Sequence, residues 1–172
     1  MLKVKDLEII PARGEEKPHP ELTPDALVKE LSRCKAREVA EKHPDALVIG
    51  ADTVVVLDGA VLGKPRDAED ARQMLARLSG RTHTVWTGVT LARGGEVLSH
   101  AERTEVRFRP LTGREIDAYV ATGEPLDKAG AYGAQGIGSL FVEHLDGDFF
   151  NVMGLPLCAL GNLLKSMDVS LI

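Results

Sequence analysis

Apolar and polar residues follow one another along the chain in short blocks that predict interleaved strands and helices. Residues 7–10 read as a short strand, and a polar, proline-rich loop follows them. A helix is predicted over residues 23–42. Thr23 can cap its start with a hydroxyl, and Pro24 stands at the first helical position, where proline is favoured. The apolar segment 46–57 predicts a strand, with the polar residue Asp52 inside it.

The second half of the chain continues this alternation without an internal repeat. Gly94 and Gly95 suit the tight turn of a hairpin between two long strands, and Thr112 with Glu115 forms a capping-box pattern. The further predicted elements are a helix from Asp67 to Ser79, strands over 82–92 and 96–109, a helix from Thr112 towards Gly123, a strand over 139–143 and a last helix that starts at Pro156. The order predicts an α/β domain with a mixed, twisted sheet and flanking helices.

Composition excludes several classes of protein. The chain has 172 residues, 44% of them apolar and 27% charged, which suits one domain, and its net charge of −5 gives no general attraction to nucleic acid. No apolar run has the length of a membrane span. Cys34 and Cys158 have no partners at zinc-like spacing, so a reducing, cytoplasmic location is expected.

Two carboxylates are candidates for metal binding or proton transfer. Asp52 lies between two apolar strand segments, where a carboxylate needs a balancing partner, and this position favours a metal or an activated water over a solvated bulge. Glu16, in the proline-rich loop, has an oxygen that can reach the same metal, but taken alone it reads as an exposed loop residue.

Two lysines are candidates for phosphate binding. Lys35 lies on the predicted inward face of its helix together with Leu31 and Val39, so its ammonium either meets an anion or extends to the surface along its stem. Lys64 precedes Pro65, which favours an extended backbone and a fixed direction for its side chain, although an ordinary surface turn is the simpler interpretation.

Two glycine-containing segments follow. Residues 128–136 combine glycines that permit close backbone approach with Gln135, whose amide can both donate and accept hydrogen bonds at a base edge. Residues 147–156 place Asp148 and Asn151 ahead of the last helix, where capping is the simpler interpretation.

The ordered set of these segments resembles the Maf family of nucleoside triphosphate pyrophosphatases. The motifs that carry the resemblance are a glutamate in the early loop, KA in the first helix, ADT, GKP, SGRTH, KAGAYGAQG and GDFFNVMGLP. Each is weak alone, but seven in this order and spacing are specific. The resemblance implies an inosine-triphosphate-pyrophosphatase-like fold and cleavage between the α and β phosphates of a nucleotide.

The resemblance also implies roles for single residues. Asp52 would be the general base, Mg²⁺ or Mn²⁺ would lie near Asp52 and Glu16, and Lys35 and Lys64 would bind phosphate. The family branch that acts on dTTP and UTP carries a threonine after the aspartate and a glutamine in the glycine loop.

Thr53 and Gln135 match that branch and are expected to contact the nucleotide. A homodimer is a further possibility. The chain shows no S-x-S-P-R-R segment, so residues 1–172 are expected to form one Maf-like domain that lacks this N-terminal part. The alternative function is a catalytically impaired nucleotide-binding or cell-division regulatory protein.

Overall fold

A computed structural model describes residues 7–14, 19 and 21–170. The helices are α1 (Pro24–Ala40), α2 (Ala68–Leu78), α3 (Gly113–Ala121), α4 (Phe149–Val152) and α5 (Leu157–Ser166). The strands are β1 (Val48–Leu57), β2 (Ala60–Leu62), β3 (Thr82–Arg93), β4 (Glu96–Phe108) and β5 (Val142–Asp146). The expected α/β class with flanking helices is confirmed.

The five described strands form one sheet in the order β2-β1-β3-β4-β5. All four pairings are antiparallel. The sequence predicted a mixed sheet, and the described strands form a purely antiparallel one. Short turns at Asp58–Gly59 and Gly94–Gly95 reverse the chain directly, and α2 lies between β2 and β3. Because β2 pairs only with residues 55–57, the preceding part of β1 has β3 as its one neighbour among the described strands.

Helix α1 lies on one face of the sheet, in direct contact with its glycines. A Cβ added to Gly88 would lie 2.0 Å from the Val28 carbonyl oxygen, and one added to Gly50 would lie 2.5 Å from the Ser32 oxygen. The buried residues of α1 are Val28, Ser32 and Ala36. The prediction that Leu31, Lys35 and Val39 form the inward face is therefore wrong. The small residues let α1 approach the sheet backbone, and the predicted face turns towards the edge of the sheet.

The opposite face of the sheet carries the main apolar core. Strand residues such as Val55, Val85 and Phe108 pack there against α2 and α3, and a second cluster packs β3 against α5. Asp67 caps α2 by accepting the Asp70 amide, and the predicted Thr112–Glu115 capping box is present at α3. Local sequence signals thus place both helices correctly.

Two strand predictions differ from the structure. Residues 7–10 form no strand and are largely exposed, with Ile9 88% exposed, since none of the described strands pairs with them. The predicted strand over 139–143 begins only at Val142, because a 3₁₀ helix over Ile137–Phe141 precedes it. No described helix combines the length and the apolar character that a membrane span requires.

Candidate active site

A cleft of about 1270 Å³ lies around the edge of β1. Its floor is the middle of β1, from Ala51 to Val55. Side chains alternate along a strand, so Asp52 faces α1 while Thr53 faces the other side of the sheet. The cleft is consequently lined from both faces, by Leu31 and Lys35 of α1 on one side and by the 128–136 loop on the other.

Asp52 and Lys35 form an ion pair in the wall of this cleft. The Lys35 Nζ donates to Asp52 Oδ1, and the two side chains are 31% and 10% exposed, respectively. Asp52 pairs across the sheet with Gly88, which has no side chain to hold α1 away. The sequence therefore brings a carboxylate and an ammonium together through glycine on the neighbouring strand.

The second predicted metal ligand, Glu16, lies outside the described residues. Over the described ranges, no group of three or more histidine, cysteine, aspartate or glutamate side chains is arranged to hold a metal ion. Mg²⁺ at nucleotide sites usually takes one or two carboxylates and completes its shell with phosphates and water. The carboxylate of Asp52 fits that pattern rather than a protein cage.

Thr53 is fixed by a short chain of hydrogen bonds. Its Oγ1 lies 2.9 Å from Thr87 Oγ1, which donates to the Asn151 carbonyl oxygen at 2.8 Å. Because the hydrogen of Thr87 is used on that carbonyl, the Thr53 hydroxyl is the donor in the first bond. Thr53 therefore keeps only lone pairs for any other partner, and it can accept a hydrogen bond from a ligand.

Lysines 64 and 128 both line the cleft. The Gly130 amide donates to the Gly63 carbonyl at 3.0 Å, which ties the two lysine-bearing loops together. Asp127 accepts from Lys128 Nζ at 2.6 Å, and Lys128, followed by Lys64, lowers the pKa of the Asp127 carboxyl. Two cations thus face the cleft around one exposed carboxylate.

Gln135 is exposed on the glycine-rich loop and lines the cleft, as its predicted contact with nucleotide requires. The side chains of Tyr119 and Glu124 hold the loop by accepting hydrogen bonds from the backbone amides of Gly133 and Ile137. Burial would raise the pKa of the Glu124 carboxyl, but hydrogen bonds from the Ile137 and Gly138 amides and from Tyr119 outweigh it and lower that pKa. Glu124 is therefore ionised and half-buried, and it holds the loop through hydrogen bonds to its backbone.

His83 of the SGRTH motif is buried, 2% exposed, beneath the loop rather than in the cleft. Its Nε2 lies 2.8 Å from the hydroxyl of Tyr132, and its ring meets Phe108 edge-on at 5.0 Å. Burial lowers the pKa of His83 to about 4, so the ring is neutral at neutral pH. This motif supports the loop through packing.

The segment 147–156 divides between capping and burial. Asp148 caps a helix by accepting the Phe150 amide at 2.7 Å, but that helix is the short α4 and not, as expected from the sequence, the last helix, α5. Asn151 does not cap a helix: it is fully buried within α4, and its Nδ2 donates to the Val85 carbonyl and to Thr104 Oγ1. The Asn151 amide thus ties α4 to β3 and β4.

Sequence reasoning overlooked three residues of this site. Lys128 was visible only as the start of a glycine-rich motif, and its lysine next to an acidic residue resembles any surface ion pair. Tyr119 and Glu124 were hidden because their partners lie up to 14 residues further along the chain. A glutamate directly before a proline and four residues ahead of the glycine-rich loop carries no recognised signal.

Comparisons with known proteins agree with the geometry. The family of Maf-like proteins matches residues 1–167. The dTTP/UTP pyrophosphatase of Moorella thermoacetica is 56% identical over 164 residues, which are 94% of this chain and 84% of that protein. The proteins of the same name from Halalkalibacterium halodurans and Bacillus mycoides are 52% identical over 141 residues and 46% identical over 170 residues, respectively.

These alignments take in 82% and 98% of the chain and 74% and 89% of the two relatives. Such identity over most of both sequences is far above what a shared fold alone requires. This chain belongs to the Maf-like protein family.

Proposed function

We propose that the chain hydrolyses dTTP and UTP to the nucleoside monophosphate and pyrophosphate. Relatives at 46–56% identity are named dTTP/UTP pyrophosphatases. The observation that carries the proposal is the Asp52–Lys35 pair at the edge of β1, in a cleft that also presents two further lysines and Gln135. A carboxylate, several cations and a base-reading amide are the groups this reaction needs.

Asp52 acts as the general base in this reaction. A water oxygen attacks the α phosphorus while one of its protons passes to the Asp52 carboxylate, and the bond from the α phosphorus to the bridging oxygen breaks. The bridging oxygen leaves with its electron pair as part of pyrophosphate. Lys35 holds the carboxylate in place from α1, so the base is oriented before the substrate arrives.

A divalent cation, Mg²⁺ or Mn²⁺, would be held by Asp52 together with Glu16 and the substrate phosphates. When bound, it supplies positive charge to the phosphates and lowers the pKa of a coordinated water. Lys64 and Lys128 line the same cleft as Asp52 and bind the phosphates that leave. Asp127 keeps the Lys128 ammonium in position until phosphate competes for it.

Gln135 and Thr53 select the nucleotide. The Gln135 amide pairs with the O4 and N3 edge of uracil or thymine by donating one hydrogen bond and accepting another. Thr53 accepts a hydrogen bond, because its own hydrogen is committed to Thr87. Both residues line the same cleft.

We further propose that residues 1–172 act as one Maf-like domain, and that the protein works in the cytoplasm, where nucleotides are made. Cys34 and Cys158 are both free and exposed, which suits a reducing compartment. The homodimer stays a prediction.

The test is pyrophosphate release from UTP and dTTP with Mg²⁺, for the parent chain and for Asp52→Asn. We expect the variant to lose at least two decades of turnover, because it has no carboxylate to accept the proton of water or to hold the metal. Its melting temperature should stay within a few degrees of the parent, since an amide group of nearly the same size replaces the carboxylate. Ser166→Ala, which removes a hydroxyl at the end of α5 outside the cleft, is the control and should keep its turnover. A folded Asp52→Asn protein with parental turnover would exclude Asp52 as the base, and nucleotide binding without turnover by the parent would favour a regulatory role.

A further inference from the structure

The loop that carries Gln135 is tied down on both sides of that residue by two side chains from α3 and the turn after it. On one side, the Gly133 amide donates to the Tyr119 hydroxyl at 3.1 Å. On the other, the Ile137 and Gly138 amides donate to Glu124 Oε2 and Oε1 at 3.0 and 3.1 Å. The Tyr119 hydroxyl in turn donates to Glu124 Oε1 at 2.9 Å, which closes the network.

Both oxygens of the Glu124 carboxylate take part in this network. Its two oxygens accept two backbone amides and one phenol. A Cβ added to Gly136 would lie 2.5 Å from both oxygens, so the loop backbone rests directly on the carboxylate. Gln135 is the middle one of the three residues between Gly133 and Ile137, so the two anchored positions restrict its main chain from both sides.

Tyr119 connects the two sides of the network, because its hydroxyl bonds both Gly133 and Glu124. Burial, and then the adjacent Glu124 carboxylate, raise the pKa of its phenol well above the usual value, so the hydroxyl stays a donor at any working pH. Its ring meets Phe141 edge-on at 4.9 Å, which fixes the ring independently of the hydroxyl. The packing role and the hydrogen-bonding role of this side chain are therefore separable by removing one oxygen.

We propose that Tyr119 and Glu124 are positioning residues that set the location of Gln135 and thereby the nucleotide preference of the cleft. The inference rests on the proposed function, because it takes Gln135 as the residue that reads the base. An amide discriminates between base edges only if its two hydrogen-bonding atoms are held in place, since a displacement of about 1 Å is enough to lose such a contact. Neither positioning residue needs to touch the phosphates.

Two variants test the network without emptying the core. Tyr119→Phe keeps the ring and deletes the hydroxyl that Gly133 and Glu124 use. Glu124→Gln keeps the shape of the side chain but turns a donor towards a backbone amide. Thr112→Ala is the matched control, because it deletes a hydroxyl that caps the opposite end of α3 and has no contact with the loop.

Binding of UMP and of inorganic pyrophosphate, measured separately by calorimetry, distinguishes positioning from general damage. Both network variants should bind UMP roughly tenfold more weakly, as expected for a lost hydrogen bond, and should bind pyrophosphate no worse than the parent within twofold. The ratio of kcat/KM for UTP over GTP should fall by a similar factor, mainly through KM. Hydrogen exchange should quicken in residues 130–138. Thr112→Ala should lower the melting temperature and change none of these ratios.

Each outcome decides one of the two proposals. A parent chain that releases no pyrophosphate from UTP refutes the proposed function, while the UMP and pyrophosphate measurements still test the positioning. An active parent whose Tyr119→Phe and Glu124→Gln variants keep the parental UMP affinity and UTP preference refutes the positioning alone. Equal weakening of UMP and pyrophosphate binding would show that the network is structural support for the whole cleft, and it would also overturn the inference.

Discussion

Gly88 controls how close α1 comes to the sheet, and replacing it with alanine should disturb stability and activity together. The added Cβ would lie 2.0 Å from the Val28 carbonyl oxygen, 2.3 Å from its carbon and 2.9 Å from the Lys29 nitrogen. All three atoms are helix backbone, which cannot turn aside as a side chain can. Because ordinary contact begins at 3.4 Å, the helix would have to retreat by roughly 1.4 Å at this point.

The cost of that retreat follows from what α1 buries. Overfilling a packed interior costs about 1–3 kcal/mol, and a rigid clash of backbone with Cβ belongs at the upper end. The retreat also stretches the hydrogen bond between Ser32 Oγ and Thr90 Oγ1, now 2.8 Å long, beneath the helix. A loss of about 3 kcal/mol corresponds to a fall of about 6–12 °C in melting temperature for a chain of this size.

The same retreat moves Lys35 away from Asp52, which stands beside Gly88 on the neighbouring strand. A displacement of about 1 Å at a catalytic group can cost about a hundredfold in rate. Thermal unfolding and pyrophosphate release from UTP measure the two effects. Gly161→Ala is the control: no atom lies within 4 Å of its added Cβ, and alanine favours α5, so its melting temperature should hold or rise. A Gly88→Ala protein that melts within 2 °C of the parent with full turnover would refute the close-contact argument.

Two further predictions concern the loop and the residue beneath it. Gln135→Glu should lower the preference for UTP over GTP by roughly tenfold in competition kinetics, because a carboxylate faces O4 of uracil with negative charge; unchanged ratios would exclude base reading by Gln135. His83, with its pKa lowered to about 4 in the folded state against about 6.5 when unfolded, should make the free energy of unfolding fall by about 3 kcal/mol as pH drops from 6.5 to 4. The sign follows because the unfolded chain binds the proton first. Urea unfolding across that range should show a flatter pH dependence for His83→Gln, and identical slopes would contradict the assignment.

The elements that the sequence predicted well are those whose signals are local. The Asp67 cap, the Thr112–Glu115 capping box and the Gly94–Gly95 hairpin depend on residues at most a few positions apart, and the structure contains all three. The placement of Asp52 inside a strand was predicted for the same reason, from the apolar residues on both sides of it.

The face of α1 was mispredicted because hydrophobicity was the wrong criterion. Leu31 and Val39 are more apolar than Ser32 and Ala36, yet the smaller pair is buried. The reason lies in β1 and β3, where Gly50 and Gly88 let the helix backbone come so close to the sheet that only small side chains fit between them. No window along the helix contains that information. The Tyr119–Glu124 network escaped prediction likewise, since its partners meet only after the chain has folded.

The two halves of the cleft come from opposite faces of the sheet, and this division has a functional consequence. Asp52 and Lys35 belong to the α1 face, whereas Thr53 and the Gln135 loop belong to the other face and share its core through Val55. A nucleotide bound as proposed crosses the edge of β1. Its α phosphate meets Asp52 on the α1 face, whereas its base and the phosphates that leave are held by Gln135, Lys64 and Lys128 on the other face. Changes under the loop should therefore alter which base is chosen without moving the Asp52–Lys35 pair, and changes under α1 should alter turnover without changing the choice. Substrate range can then vary between relatives while the hydrolytic chemistry stays the same.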